Sequence, residues 1–298
     1  MIGLLLASLS LGAGTLLVIL AATGMRFAPE FANFLLLAVF VFLLAGFCRF
    51  RRHDWRMADS ANIVAFVTVS LLLCGLVANM GLRMRFPIMD PLLARGDVLI
   101  GFDARAVAGF VASQPLFSRL LHIAYNVSGP LCAVAVLWNL MKQDRVRLWQ
   151  VVATLIVAMQ LTALVSIFFP ARGAAVTLGL DVLQGRGLPF GAGTYAVSAF
   201  EHFYRGGELL VKLEDMNGIV CFPSFHTVMA LAILQGFVAS PFRWVALGWS
   251  ALTIVSTVPI GGHYVIDLAG GILVWLVACG LATWACREFG SPGDRGRV

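Results

Sequence analysis

The sequence predicts an all-α fold, a polytopic bundle of about eight transmembrane helices. Three observations carry this. First, 60% of the 298 residues are hydrophobic and only 12% are charged, against about 25% charged in soluble domains; mean hydropathy is +0.91. Second, apolar runs of about 20 residues recur, each long enough to cross a hydrocarbon core as a helix. Third, the connections alternate between short basic linkers and long segments of mixed charge, the loop asymmetry of membrane proteins. The cysteines form no disulfide framework: Cys48, Cys74, Cys132 and Cys279 lie within or at the ends of apolar runs, and Cys221 and Cys286 flank them. There cysteine behaves as a small apolar residue. The net charge of +6 fits basic cytoplasmic loops, and without a basic–aromatic cluster it points to membrane lipids and not to nucleic acid as partner.

The runs fall at 2–23, 31–48, 61–82, 117–140, 148–169, 222–239, 244–261 and 264–285. The first lacks the basic start of a signal peptide and reads as a retained helix. Dense positive charge follows the second span ("RFRRHDWR"), the fourth ("KQDRVR"), the sixth (Arg243) and the eighth ("CREFGSPGDRGRV"). This density places those linkers and both termini in the cytoplasm. Segments 83–116 and 170–221 then lie on the outer face of a plasma (inner) membrane, the periplasmic side. The first segment, interrupted by Asp90, Asp97 and Asp103, predicts an interfacial or re-entrant helix. The second is glycine-rich, then amphipathic, and predicts a lid. The organisation expected is 1–82 as N-terminal transmembrane helices, 83–286 as the catalytic membrane domain and 287–298 as a mobile tail.

Two motifs fall on that outer face: "FPSFHT" (222–227), entering the sixth span, and "GGHYVIDLAGG" (261–271), between the seventh and eighth. His263 and Asp267 are four apart. If the last helix starts near His263 they share one face, and the carboxylate fixes one ring nitrogen while the other keeps a nucleophilic lone pair. Pro223 suits a first helical turn, so free N–H groups there make an anion site, with Ser224 and Thr227 adding hydroxyls. His226 can protonate a leaving oxygen. Two histidines, an orienting aspartate and a helix N-terminus describe phosphoryl transfer through a phosphohistidine. No cofactor is required. Two histidines and an aspartate could supply zinc ligands, but a histidine bonded to its i+4 carboxylate suits orientation better, so no metal is expected.

These motifs resemble the second and third signatures of the type 2 phosphatidic acid phosphatase superfamily. The pattern "FPSFHT…GGHYVID" is most similar to the branch holding inositol phosphorylceramide synthases and, more distantly, sphingomyelin synthases. The resemblance is firm over 222–271 and extends weakly over "DPLLARGDVLIGFDARAV" and "AYNVSGP". It implies a membrane lipid phosphatase or phosphotransferase acting on a lipid phosphate or phospholipid, with transfer of a phosphoinositol-type head group as the alternative to hydrolysis that the synthase branch suggests. It assigns His263 as nucleophile, Asp267 as its orienting group and His226 as acid and base. The sequence departs from the phosphatase pattern in two places. Thr257 stands where phosphatases carry a phosphate-binding arginine, and the lysine-containing first motif is missing before the second. Arg172 in "FFPARGA" and Arg205 in "YRGGE" are the candidate replacements.

The remaining polar residues read as structural. Gly261, Gly262, Gly270 and Gly271 permit tight turns and close helix packing; Tyr264 reads as an interface aromatic. Asp90, Asp97 and Asp103 read as solvated or capping, and His53, His122 and His202 lack motif partners. The competing functional class is a transporter or flippase of lipid-linked anions using the same histidines. It would show paired broken helices in two related halves, and no internal symmetry is visible.

Overall fold

The computed structural model describes residues 1–52 and 55–289. His53 and the tail from 290 onward therefore lie outside the described residues. Thirteen helices occur among those described: α1 (Ile2–Thr23), α2 (Phe31–Phe47), α3 (Trp55–Gly81), α4 (Asp90–Leu99), α5 (Ala104–Ala112), α6 (Pro115–Asn126), α7 (Ser128–Met141), α8 (Arg145–Phe168), α9 (Ala174–Thr177), α10 (Val197–Arg205), α11 (Phe225–Phe237), α12 (Arg243–Ser256) and α13 (Val265–Phe289). The strands among them, β1 (Arg26–Phe27) and β2 (Leu210–Val211), pair in parallel with Arg26 opposite Leu210. The protein is an all-α integral membrane bundle.

Helix α8 is its axis. Of its most apolar window 78% is buried in protein, against 22% for α1 and for α2, whose side chains such as Leu17, Leu36 and Phe40 remain exposed, as lipid-facing residues do. Around α8 pack α1, α3, α7, α11 and α13. Close approach relies on small residues, since lipid and leucine are equally apolar and packing must drive association. Gly81 lies so near Ile167 that a Cβ there would sit 2.6 Å from Cγ1. Inside the bundle the Gln160 amide donates to the Ser70 hydroxyl at 2.9 Å and carbonyl at 3.1 Å.

Among the described residues five helices are long and apolar enough to span, α1, α2, α3, α8 and α13, and the pair α6–α7, bent by 54°, makes up to six. The expected eight are therefore not all full-length. The fourth run is broken at Val127, where Pro130 in α7 has no N–H to give the carbonyl of residue 126 and its ring crowds it. The sixth and seventh runs form helices of 13 and 14 residues, about 20 Å at 1.5 Å per residue, short of a core of about 30 Å. The physical reason is the site: residues 221–224 and 257–264 leave the helix to build it.

Helix direction sorts the two ends. The starts of α3, α8 and α12 and the end of α13 share one end, which holds the described basic residues Arg145, Arg147, Arg243 and Arg287. There Arg145 clamps the buried Asp59 through Nε at 2.7 Å and a second nitrogen at 3.0 Å, and Trp149 donates at 3.2 Å. The ends of α3, α8 and α12 and the starts of α11 and α13 form the opposite end. Segment 83–116 folds there as α4 and α5 in place of one interfacial helix. In segment 170–221, amphipathic α10 buries Ala199, Phe200 and Phe203.

Candidate active site

The site is built at the start of α13. Two of the N–H groups that a helix leaves unpaired at its start are taken by another helix: Asp97 of α4 accepts from Val265 at 3.1 Å and Ile266 at 3.0 Å. Burial lifts the Asp97 carboxyl above its ordinary range, against the opposing pull of those two donors. The cap sets the direction in which Asp267 points. Its Oδ2 accepts the Tyr264 N–H at 2.9 Å and stands 3.2 Å from His263 Nδ1. His263 precedes the helix, so the pair forms across its mouth and not along one helical face. Its Nε2 makes no protein hydrogen bond among the described residues.

Cys221 joins this pair. Its thiol donates to Asp267 Oδ2 at 3.1 Å, and Sγ lies 3.9 Å from His263 Nδ1. Burial, with the Asp267 carboxylate alongside, pushes the thiol well up.

Helix α11 brings the second histidine. The Ser224 N–H donates to the Asp267 carbonyl at 3.0 Å, tying the start of α11 to α13. Ser224 is the N-cap, its hydroxyl accepting the Thr227 N–H at 3.4 Å. Pro223 therefore precedes the cap, two positions before the first helical residue Phe225 and outside the first turn where it was expected, and His226 is the second helical residue. The His226 ring faces His263 with centroids 6.4 Å apart and stacks on Tyr125 of α6 at 3.7 Å. The Tyr125 hydroxyl meets that of Tyr195 at 2.9 Å. Thr227 is fully buried, and its hydroxyl has no partner among the described residues. Glycine is required where these elements touch: a Cβ on Gly271 would lie 2.4 Å from the Ser224 carbonyl oxygen, and one on Gly262, at φ 74°, 2.6 Å from Gly193 Cα.

Asp90 holds the other wall. It is buried, neither solvated nor capping its own helix. Oδ2 accepts the Arg172 N–H at 2.9 Å; Oδ1 accepts the Gly173 N–H at 2.9 Å, the Thr177 hydroxyl at 3.2 Å and the Tyr264 hydroxyl at 2.9 Å. Tyr264 is thus fully enclosed, and the interface-aromatic expectation is corrected: its hydroxyl has a better partner than lipid headgroups. Asp103 does cap its helix, accepting from Ala106 at 3.0 Å.

Arg172 and His263 line one cleft of about 20 Å³, walled by Tyr195, Val220, Cys221 and Gly262. Arg172 Nε donates to Glu201 of α10 at 2.5 Å; its terminal nitrogens make no protein hydrogen bond among the described residues. Arg205 reaches the same carboxylate but does not line the cleft, and its side chain is 75% exposed. Burial works to raise the Glu201 carboxyl, yet the two guanidiniums outweigh it and hold it below the ordinary value.

Sequence reading missed Cys221, Asp90, Asp97 and Tyr125 as parts of the site. The weak likeness over 90–107 and 124–130 was the available signal for the last three. For Cys221 the signal was adjacency to the first motif.

A membrane-embedded helical bundle with a buried histidine–aspartate pair, faced by a second histidine and an arginine, has the parts of a phosphate-handling enzyme. A family model described as the PAP2 superfamily matches residues 92–281, just under two thirds of the chain, running from α4 into α13 through every site residue except Asp90. The chain belongs to the PAP2 superfamily, and that membership supports a lipid phosphatase-type function. Comparison with curated proteins and with solved structures finds no match.

Proposed function

We propose that the protein cleaves a lipid phosphate or phospholipid through a phosphohistidine on His263, with water or a polyol hydroxyl, such as that of inositol, as acceptor. The observation that carries this is the His263 ring: Asp267 occupies Nδ1, which leaves Nε2 as the lone-pair nitrogen, and His226 stands opposite with ring centroids 6.4 Å apart. Reacting atoms approach to about 3–3.5 Å, so with centroids 6.4 Å apart the two rings separate as a phosphoryl group enters between them. Nε2 attacks phosphorus, the ester P–O bond breaks, and His226 gives its proton to the departing alkoxide. Asp267 stabilises the charged ring. His226 then takes a proton from the acceptor hydroxyl, whose oxygen displaces Nε2 and regenerates the enzyme.

Arg172 is the phosphate clamp in this reading, since its terminal nitrogens are free for a bidentate contact. Ser224 and Thr227 line the α11 start, and Arg205 acts through Glu201. A cleft of about 20 Å³ holds about one water, so walls 193–197 or 218–220 move outward as substrate enters. The lipid tail lies in the apolar groove of about 530 Å³ between α6–α7, α11 and α12, lined by Ile123, Val127, Leu131, Phe237 and Trp249. The site sits at the end opposite the basic linkers, which on the positive-inside rule is the outer face of the plasma membrane. Residues 83–286 form the catalytic unit and 1–82 its membrane support.

The test is a thin-layer assay of purified protein with candidate lipid phosphates and phospholipids, each with water alone or with inositol. His263→Ala abolishes turnover; His226→Ala permits at most slow covalent labelling. Full activity in either variant refutes the mechanism, and binding without turnover across the whole panel favours a transporter.

A further inference from the structure

The Cys221–His263–Asp267 cluster is unevenly bonded. Asp267 Oδ2 accepts three donors, from Tyr264 N–H at 2.9 Å, Cys221 at 3.1 Å and His263 at 3.2 Å. Its partner oxygen Oδ1 is buried and accepts none among the described residues, although Asp267 is 0% exposed. Orientation of His263 needs the histidine–aspartate contact alone; the thiol adds nothing to it. A thiol, an imidazole nitrogen and a carboxylate with a spare oxygen are, however, a recognised ligand set for soft divalent cations, and the ligand atoms all lie within 4.8 Å of one another.

We propose that Cys221 Sγ, His263 Nδ1 and Asp267 bind one thiophilic divalent cation of the Zn²⁺ type, and that its occupancy switches the site off. The spacing supports this. Bonds of about 2.3 Å to sulfur and about 2.0–2.1 Å to nitrogen and oxygen give tetrahedral edges of about 3.6 Å from sulfur and about 3.3 Å between nitrogen and oxygen. The edges here are 3.9 Å (S–N), 3.1 Å (S–O) and 3.2 Å (N–O). Half an ångström of adjustment, roughly, makes the site. The charges also balance: a dication with one thiolate and one carboxylate is neutral, which a buried position favours. Cys221 and His263 both line the cleft of about 20 Å³.

Binding moves two protons. The thiol proton leaves to solvent as sulfur bonds the metal. The Nδ1 proton transfers to Nε2, so the imidazole stays neutral and one proton is released per cation. The transfer removes the lone pair on Nε2. The switch rests on the phosphohistidine reading, because it disables that nucleophile; the binding site itself does not.

The test has two arms on the full-length detergent-purified protein. In the first, Co²⁺ is titrated and absorption is read. One Co²⁺ per chain, with a thiolate-to-cobalt charge-transfer band bleached by Zn²⁺, is expected. The band vanishes in Cys221→Ser, which keeps a hydroxyl donor to Asp267, and survives in Cys286→Ser. Asp267→Asn, which keeps the thiol, weakens Co²⁺ binding by at least about tenfold. A wild type without the band, or a Cys221→Ser protein that retains it, overturns the site. The second arm measures lipid-phosphate turnover. Zn²⁺ inhibits and a chelator restores wild-type activity, while Cys221→Ser needs at least about tenfold more Zn²⁺ for the same inhibition. Equal sensitivity overturns the switch. A wild type without turnover refutes the phosphohistidine reading and leaves the cobalt result to decide the site.

Discussion

Asp90→Asn removes a buried charge that organises one wall of the site without touching either histidine. The carboxylate takes four donors: Arg172 N–H on Oδ2, and Gly173 N–H, Thr177 hydroxyl and Tyr264 hydroxyl on Oδ1. The best placement of the new amide keeps its oxygen at Oδ1 and turns its NH₂ toward the Arg172 N–H. Three charge-assisted bonds then become neutral ones, each weaker by about 1 kcal/mol. The Arg172 N–H loses its acceptor in a buried place, at about 1–3 kcal/mol. The total is about 4–6 kcal/mol, which at about 2 °C per kcal/mol lowers the apparent Tm by about 8 °C or more. Tryptophan-fluorescence melting in detergent measures it. Tyr264→Phe alone deletes one of the four donors and costs about 2 kcal/mol. In the Asp90→Asn background it costs about 1 kcal/mol less, because the acceptor there is neutral. Wild-type melting and wild-type kcat/KM in Asp90→Asn would refute the hub.

Three further outcomes follow from the same geometry. Gly271→Ala drives a methyl group toward the Ser224 carbonyl oxygen, 2.4 Å away, so it lowers kcat by about tenfold or more by shifting His226 from His263, scored by turnover at saturating substrate. Arg172→Ala raises KM for a lipid phosphate by about tenfold, whereas Arg205→Ala, whose side chain is 75% exposed, changes it by less than about twofold; a titration of initial rates separates them. The Glu201 carboxyl is depressed in the folded protein, so its contribution is complete above its ordinary value of 4.5 and is lost as pH falls through the lower folded value. The melting advantage of wild type over Glu201→Gln is therefore present at neutral pH and disappears at strongly acid pH, as paired melts across that range would show.

Much of the architecture was legible in one dimension. Apolar runs mark helices whatever packs on them, so α1, α2, α3, α8 and α13 fall close to where hydropathy puts them. The same reasoning overran α11 and α12, because hydropathy does not register that apolar residues such as Phe222, Val258 and Ile260 lie in turns. Arg172 and Arg205 both stood as candidates in the sequence, Arg172 first; the difference between lining the cleft and standing exposed lies in how 170–221 folds. The aspartates of 90–103 looked alike too, yet Asp103 caps its own helix, Asp97 caps another and Asp90 is a four-donor hub.

The sequence by itself determined the helical membrane class, because hydropathy is a local property of the chain. It put His263 and Asp267 within reach of each other, although their contact forms across the helix mouth and not along one helical face. It also placed a helix start at 223–226, while the cap itself fell on Ser224 and left Pro223 outside the helix. Only the tertiary structure decided that Asp97 caps α13 from 168 positions away, that Asp90 receives Tyr264 across 174, and that Cys221 enters the histidine–aspartate pair across 46. Those contacts are made by side chains whose meeting depends on how separate helices stack around α8, and no local pattern encodes that.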